Sequence, residues 1–269
     1  MTQIAQLLAA GPTYSFEFFP PKNDKELATL ARTISELQPL EPSFVSVTYR
    51  GGAESRQRTI DLVSGMLHTT NLNPMAHIIC VAHTRLELAD ILVTLRKAGV
   101  ENLMALGGDP PEDPLSGPGE LAYAAELVEL ARAIGGFSVG VAAHPAGHPR
   151  SADIPSDRDF LAAKLALADF GVTQFFFEAS EYESLMADLR ERDVDTPVLP
   201  GILPVTSLST MGRLGAMGAA APDWMQDRLR AAHEAGGADA VRKEGVVLAT
   251  ELCSRLLDSG VPGDRKSVV

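Results

Sequence analysis

The sequence predicts an α/β protein built as a (β/α)8 TIM barrel, and three observations carry that expectation. Short β-rich runs alternate with longer helical stretches seven times along the 269 residues. The runs F-V-S-V, H-I-I-C-V-A and F-S-V-G-V-A-A are nearly continuously apolar, as in a sheet buried on both faces and hence parallel. The residues with chemistry collect after the strands rather than before them, and in a barrel those loops gather at the C-terminal face, where active sites lie. An open doubly wound sheet is the alternative topology.

The elements follow in order. A strand over Thr13–Phe19 leads to a helix over Lys25–Leu37, and one over Phe44–Thr48 to a helix over Glu54–His68. A third, His77–Ala82, precedes a helix over Arg85–Ala98 whose Leu86, Leu88, Ile91, Leu92 and Leu95 are expected to follow the 3.6-residue period. The fourth and fifth strands, Asn102–Leu106 and Phe137–Ala142, lead to helices over Glu120–Ala133 and Asp157–Asp169. The sixth, Thr173–Phe177, leads to Tyr182–Glu191, and the seventh, Pro197–Ile202, to a helical region reaching about Leu257. Pro110–Gly119 reads as a surface loop. With no linker or low-complexity segment, residues 1–269 read as a single barrel domain.

Composition removes several functions. Lys and Arg total 23 against 35 Asp and Glu, a formal charge of −12, which leaves no electrostatic footprint for nucleic acid. No apolar run approaches the roughly 18 residues of a membrane helix, and the N-terminus lacks the basic region of a signal peptide. The two cysteines, Cys80 and Cys253, lie far apart and make no disulfide framework, so a reducing cytoplasm is expected.

Glu17, in S-F-E-F-F, is the most informative residue. Alternation puts Ser15, Glu17 and Phe19 on one face and Phe16 and Phe18 on the other. A carboxyl so placed is desolvated, its pKa should rise, and a raised carboxyl suits a general acid. The competing reading is a structural ion pair with a buried Arg or Lys. Asp109 follows Gly107-Gly108, which lets the backbone approach a ligand closely; otherwise it caps a turn before Pro110. His144 and His148 are four residues apart, but Pro145 and Gly147 rule against a helix and no third ligand accompanies them, so a polar pocket rather than a metal is expected. Thr48, Tyr49 and Arg50 end the second strand, where Tyr49 stacks on a planar ligand or packs; Arg56 and Arg58 begin the next helix. Gln174, beside three phenylalanines, needs a partner from a ligand or the core.

Together, Y-S-F-E-F-F-P-P-K (Tyr14–Lys22), F-V-S-V-T-Y (Phe44–Tyr49), A-H-I-I-C (Ala76–Cys80), L-x-G-D-x-P (Leu106–Pro111), H-P (His148–Pro149), T-Q-F-F-F (Thr173–Phe177) and P-G-I-L-P-V (Pro200–Val205) resemble the methylenetetrahydrofolate reductase family. The resemblance implies a barrel enzyme that reduces 5,10-methylenetetrahydrofolate to 5-methyltetrahydrofolate, feeding methionine synthesis, with hydride from NADH or NADPH and usually through FAD. It implies Glu17 as general acid and Asp109 as the carboxylate that stabilises the cationic intermediate, with Gln174 joining them in holding the folate. The implied cofactor-binding set is Thr48, Tyr49, His77, Leu106, Gly108, Asp109, His144, His148 and Lys164. The implied partners are folate and nicotinamide substrates, with homo-oligomerisation left open. A non-catalytic folate-binding barrel and another one-carbon enzyme on the same barrel stand as alternatives.

The sequence also departs from the family. Gly107 stands where the family usually has Arg, and Phe160 and Ala163 stand at the approximate places of an Asn and an Arg that hold FAD, whereas Lys164 is retained. Asp169-Phe170 replaces a Gly-Ala pair. Each charge-assisted bond lost from a diphosphate is worth roughly 1.5–3 kcal/mol, so weak or absent flavin binding and direct hydride transfer are expected. After Gly263 the chain reads D-R-K-S-V-V in place of an aromatic eighth strand, so that strand is expected to be missing or truncated, with Ser267–Val269 at most a stub.

Overall fold

Apolar alternation and parallel pairing build a ring in the computed structural model, which describes residues 2–49, 53–109, 117–217 and 219–267. Arg50, the Pro110-Pro111 pair and residues 268–269, all singled out above, lie outside the described residues. The strands are β1 (Thr13–Phe18), β2 (Phe44–Val47), β3 (Pro74–Ile79), β4 (Asn102–Leu106), β5 (Ser138–Ala143), β6 (Phe170–Phe175), β7 (Val198–Ile202) and β8 (Gly263–Ser267). Each pairs in parallel with the next, and β8 pairs with β1, closing the barrel. The helices are α1 (Ile4–Ala10), α2 (Asp24–Leu37), α3 (Ala53–Thr69), α4 (Arg85–Lys97), α5 (Ala124–Ile134), α6 (Ile154–Leu167), α7 (Ala179–Arg190), α8 (Leu208–Met211), α9 (Leu214–Met217) and α10 (Asp223–Asp258). Among the described residues no helix is long and apolar enough to cross a membrane.

The eighth strand, expected to be missing or truncated, is present. Its five residues are as many as β4 or β7 contribute. G-D-R-K-S has no apolar run because both of its strand edges are paired and its side chains find polar partners. Lys266 Nζ lies 2.5 Å from Asp264 Oδ1, and Arg265 reaches inward to Glu17. Closure removes the exposed edges that a seven-stranded sheet would carry.

Other elements shift from their expected bounds: β6 spans Phe170–Phe175 rather than Thr173–Phe177, α5 begins at Ala124 rather than Glu120, α7 begins at Ala179 rather than Tyr182, and Leu86 of α4, expected in its apolar period, is exposed. Three further shifts show their cause. β3 begins at Pro74 and ends before Cys80, because Ala82 takes a left-handed φ of 61°. α6 stops at Leu167, because Asp169 leaves the helix: its backbone N–H donates to Val139 O, and its Oδ2 accepts from Val139 N at 2.7 Å. The last helical region divides in three, and Gly236 and Gly237, with non-helical dihedrals, fold α10 back so that Arg228 meets both Glu244 and Glu251.

The core lies in two shells about the ring, with a third cluster in which Phe175, Phe177 and Val205 meet Met225, Leu229 and Val241 of α10. Outside the ring, Val45, Val47, Ile78, Leu92, Leu127, Val139 and Leu165 pack strands against helices, with Cys80 fully buried among them and Cys253 packed at the margin. Inside it, Phe44, Met75, Met104, Phe170, Val172 and Leu199 form a second cluster with Ile4. α1, which the sequence reading did not identify, plugs the N-terminal end. Ile4 is fully buried, its N–H donates to Asn102 Oδ1 at 2.8 Å, and Ala5 N–H donates to Ser138 Oγ at 3.1 Å. The interior is thus sealed at one end, and the opposite end is left for ligands. Ile4→Ala removes the plug's apolar anchor and is expected to cost about 2–5 kcal/mol, read as a lower urea midpoint with an unchanged m-value.

Candidate active site

The first group of site residues lies inside the barrel. Alternation sends Thr13, Ser15 and Glu17 inward, and the register sets Glu17 beside Ser46 of β2 and Ser267 of β8. Glu17 Oε1 lies 2.6 Å from Arg265 Nη1 and accepts from Ser267 Oγ at 3.0 Å. Glu17 Oε2 lies 3.5 Å from His77 Nε2. Glu17, Arg265 and His77 are all buried. The hydroxyls of Ser46 and Thr48 are buried with no hydrogen-bond partner among the described residues. Thr13 Oγ1, at the other end of β1, is in the same condition, and such groups cost about 1–3 kcal/mol each unless water satisfies them.

This geometry corrects the expected rise in the Glu17 pKa. Burial does push the carboxyl up, but Arg265, followed by His77 and Ser267, outweighs it and holds Glu17 below its ordinary 4.5. The ion-pair reading of Glu17 therefore describes the free protein. His77 goes the same way for a different reason: burial foremost drives it down to about 4, against the pull of Glu17.

The second group lines a cavity of about 1790 Å³ across the C-terminal ends of β3 to β6. Tyr49, Leu106, Gly108, Asp109, His144, His148, Lys164 and Gln174 line it; Glu17, His77 and Thr48 do not. The expected site residues thus divide between a buried carboxylate cluster and an adjoining open cleft. Gly108 has φ +86°, and a Cβ there would overlap Val81 Cγ1, so the turn that presents Asp109 requires glycine. Tyr49 lies in the cavity wall, and its hydroxyl meets His83 Nε2 at 2.8 Å.

The loop carrying the two histidines is held from below. Asp157 Oδ1 accepts from His148 N–H and Ser151 Oγ, both at 2.9 Å, while buried Arg158 donates to His144 O and Pro145 O at 3.0 and 2.6 Å. The histidine rings meet edge to face with centroids 4.7 Å apart. Burial, then His148 and Lys164, lowers His144 to about 4. Lys164 Nζ donates to Ala142 O at 2.6 Å, and burial brings its pKa down to about 8.

Sequence reasoning missed Arg265, Ser267, Arg150, Asp157 and Arg158. Only Arg150 carried a usable signal, as a cation in the H-P-A-G-H-P-R loop. Its Nη2 lies 3.5 Å from where a Cβ on Gly107 would stand, so the guanidinium sits beside Gly107 at ordinary contact distance.

The family pattern of methylenetetrahydrofolate reductase matches residues 1–264. The chain belongs to the methylenetetrahydrofolate reductase family. It is 36% identical over 213 residues to the 5,10-methylenetetrahydrofolate reductase of Salmonella typhimurium, covering 78% of this chain and 71% of that one. It is 30% identical over 262 residues to methylenetetrahydrofolate reductase 2 of Saccharomyces cerevisiae, covering 93% of this chain and 43% of the yeast protein. Among solved structures, a Clostridium thermocellum protein described as binding two copies of 5-methyl-5,6,7,8-tetrahydrofolic acid superposes with a TM-score of 0.69 at 14% identity, covering 99% of this chain and 92% of that one, which is a likeness of fold.

Two desolvated histidines make a testable prediction about stability. The unfolded chain protonates histidine near 6.5, whereas His77 and His144 resist protonation in the fold until about 4. Stability should be fully present above pH 6.5 and fall as pH drops toward 4, by up to about 1.4 kcal/mol per pH unit for each histidine. Urea midpoints measured between pH 7.5 and 5 check this; a flat profile would contradict it.

Proposed function

We propose that the chain is an oxidoreductase that reduces 5,10-methylenetetrahydrofolate to 5-methyltetrahydrofolate with NADH or NADPH, acting as one barrel domain in the cytoplasm. The observation that carries the reading is Glu17, a carboxylate buried inside the barrel of a chain belonging to this reductase family. Its protonated form gives its proton to the bridging nitrogen of the folate's five-membered ring. A nitrogen–hydrogen bond forms, the carbon–nitrogen bond breaks, and a methylene iminium cation remains. Hydride from the nicotinamide adds to that carbon, giving the methyl group and the oxidised nicotinamide. Asp109, at the cavity edge, stabilises the cation, and Gln174 holds the pterin.

The family's FAD is a separate question, and the donor set here does not fit a tightly held flavin. α6 presents Phe160, largely exposed, and Ala163 to the cavity in place of polar groups. Lys164 is already bonded to Ala142 O, and Gly107 contributes no side chain, with Arg150 the guanidinium beside it. These observations support direct hydride transfer from nicotinamide to folate, the two substrates sharing the cleft and the barrel mouth.

The test is loss of 340 nm absorbance when flavin-stripped protein meets NADH and methylenetetrahydrofolate anaerobically. Folate-dependent oxidation without flavin is expected, and Glu17→Gln should lower kcat by about 10²–10⁴-fold. Activity only on adding FAD, or protein purified with near-stoichiometric FAD, would overturn direct transfer. No oxidation under either condition would overturn the reductase reading and favour a folate-binding barrel.

A further inference from the structure

A general acid needs a proton to give, yet Glu17 is clamped by a guanidinium. Arg265 Nη1 sits 2.6 Å from Oε1, and the same nitrogen donates to Ser267 Oγ at 2.6 Å, which in turn donates to Oε1. One carboxylate oxygen is thus fixed twice by β8. The other, Oε2, meets only His77 among the described residues, and at 3.5 Å. The guanidinium is itself seated. Its Nη2 lies 3.4 Å from Thr173 O and close to Gly201, where a Cβ would stand 3.1 Å from it.

We propose that Arg265 is a positioning residue of this site: it holds Glu17 ionised and fixes Oε1, so that Oε2 is the oxygen that takes up and delivers the proton, and proton loading becomes a step distinct from the resting state. The inference rests on the reductase reading for its use and on the ion-pair geometry for its substance. Among the described residues the charged or titratable groups facing Glu17 are Arg265 of β8 and His77 of β3, while β2 sets the Ser46 hydroxyl beside it. Arg265 is the nearer and stronger of the two, at 2.6 Å from Oε1 against 3.5 Å between His77 and Oε2. The proton is taken from solvent into Glu17 Oε2 and leaves as the nitrogen–hydrogen bond of the opened folate ring, which returns the carboxylate to its partner.

The experiment follows the Glu17 carboxyl directly, by carbon-13 NMR titration with the resonance assigned through its loss in Glu17→Gln. In the native protein the midpoint should lie below the ordinary carboxylate value. In Arg265→Met it should move up by about 1–3 pH units, and Arg265→Lys should restore most of the difference. The alkaline limb of kcat for folate-dependent NADH oxidation should move up in Arg265→Met in step with the carboxyl, which loss of packing alone would not produce. A folded Arg265→Met whose Glu17 midpoint is unchanged would overturn the proposal. A native midpoint near neutrality would overturn it too, even if the variant fails to fold. The titration needs no substrate, so an inactive protein would refute the reductase reading while leaving Arg265 decided by its own measurement.

Discussion

The barrel closes on a strand with hardly an apolar residue, and that strand joins the first through a buried ion pair as well as through backbone pairing and the Ser15 and Ser267 hydroxyls. Without β8, the edges of β1 and β7 would lie open and the interior cluster would lose a wall. Arg265 ties strand eight to strand one through Glu17 and to strand six through Thr173 O. A buried pair of this kind is poor evidence for net stability, because removing two charges from water costs about as much as their attraction returns. Removing one partner is another matter, since it strands the other charge at a cost of about 3–5 kcal/mol. The pair therefore explains geometry better than stability: it fixes where the last strand sits and which way the carboxylate points.

That constraint divides the site. The carboxylate cluster lies within the ring, braced by three strands, while the cleft over β3 to β6 is shaped by loops on helical supports. The H-P-A-G-H-P loop owes its form to Asp157 and Arg158 of α6, whose buried side chains bond its backbone. Proton chemistry sits on rigid strands and ligand shape sits on loops, a division that lets the binding face change while the acid stays in place. The substitutions at Gly107, Phe160 and Ala163 fall on the changeable side.

Much of this was legible in the sequence. Continuous apolar runs announced seven strands, and the strand order around the ring follows from their parallel pairing. Glu17 stood out because a charge amid aromatic residues needs a reason. What could not be read was its partner: Ser267 is 250 residues away, and Arg265 beside it lies in a segment whose composition argues against any strand. Local pattern reports what a residue needs, and only tertiary pairing reports who supplies it. The expected rise in the Glu17 pKa failed for that reason, since burial was visible and the compensating charge was not. α1 was missed because its short apolar run matters through one fully buried residue, Ile4, rather than through a repeating face.

The family motifs acquire physical content once placed. The glycine of P-G-I-L-P-V, Gly201, is required because a Cβ there would overlap Thr173 O and crowd the Arg265 guanidinium, and its N–H donates to Thr173 Oγ1 at 2.8 Å. That glycine therefore belongs to the seat of the residue that clamps Glu17, although it stands on β7 and the carboxylate on β1. Gly108 acts likewise at the cleft, where only a residue without Cβ can pass Val81 and present Asp109. In both places the absence of a side chain lets a charged one take its position. A substitution at Gly201 would push β7 off the Thr173 backbone of β6 and through it disturb the seat of Arg265, while one at Gly108 would displace the turn that presents Asp109.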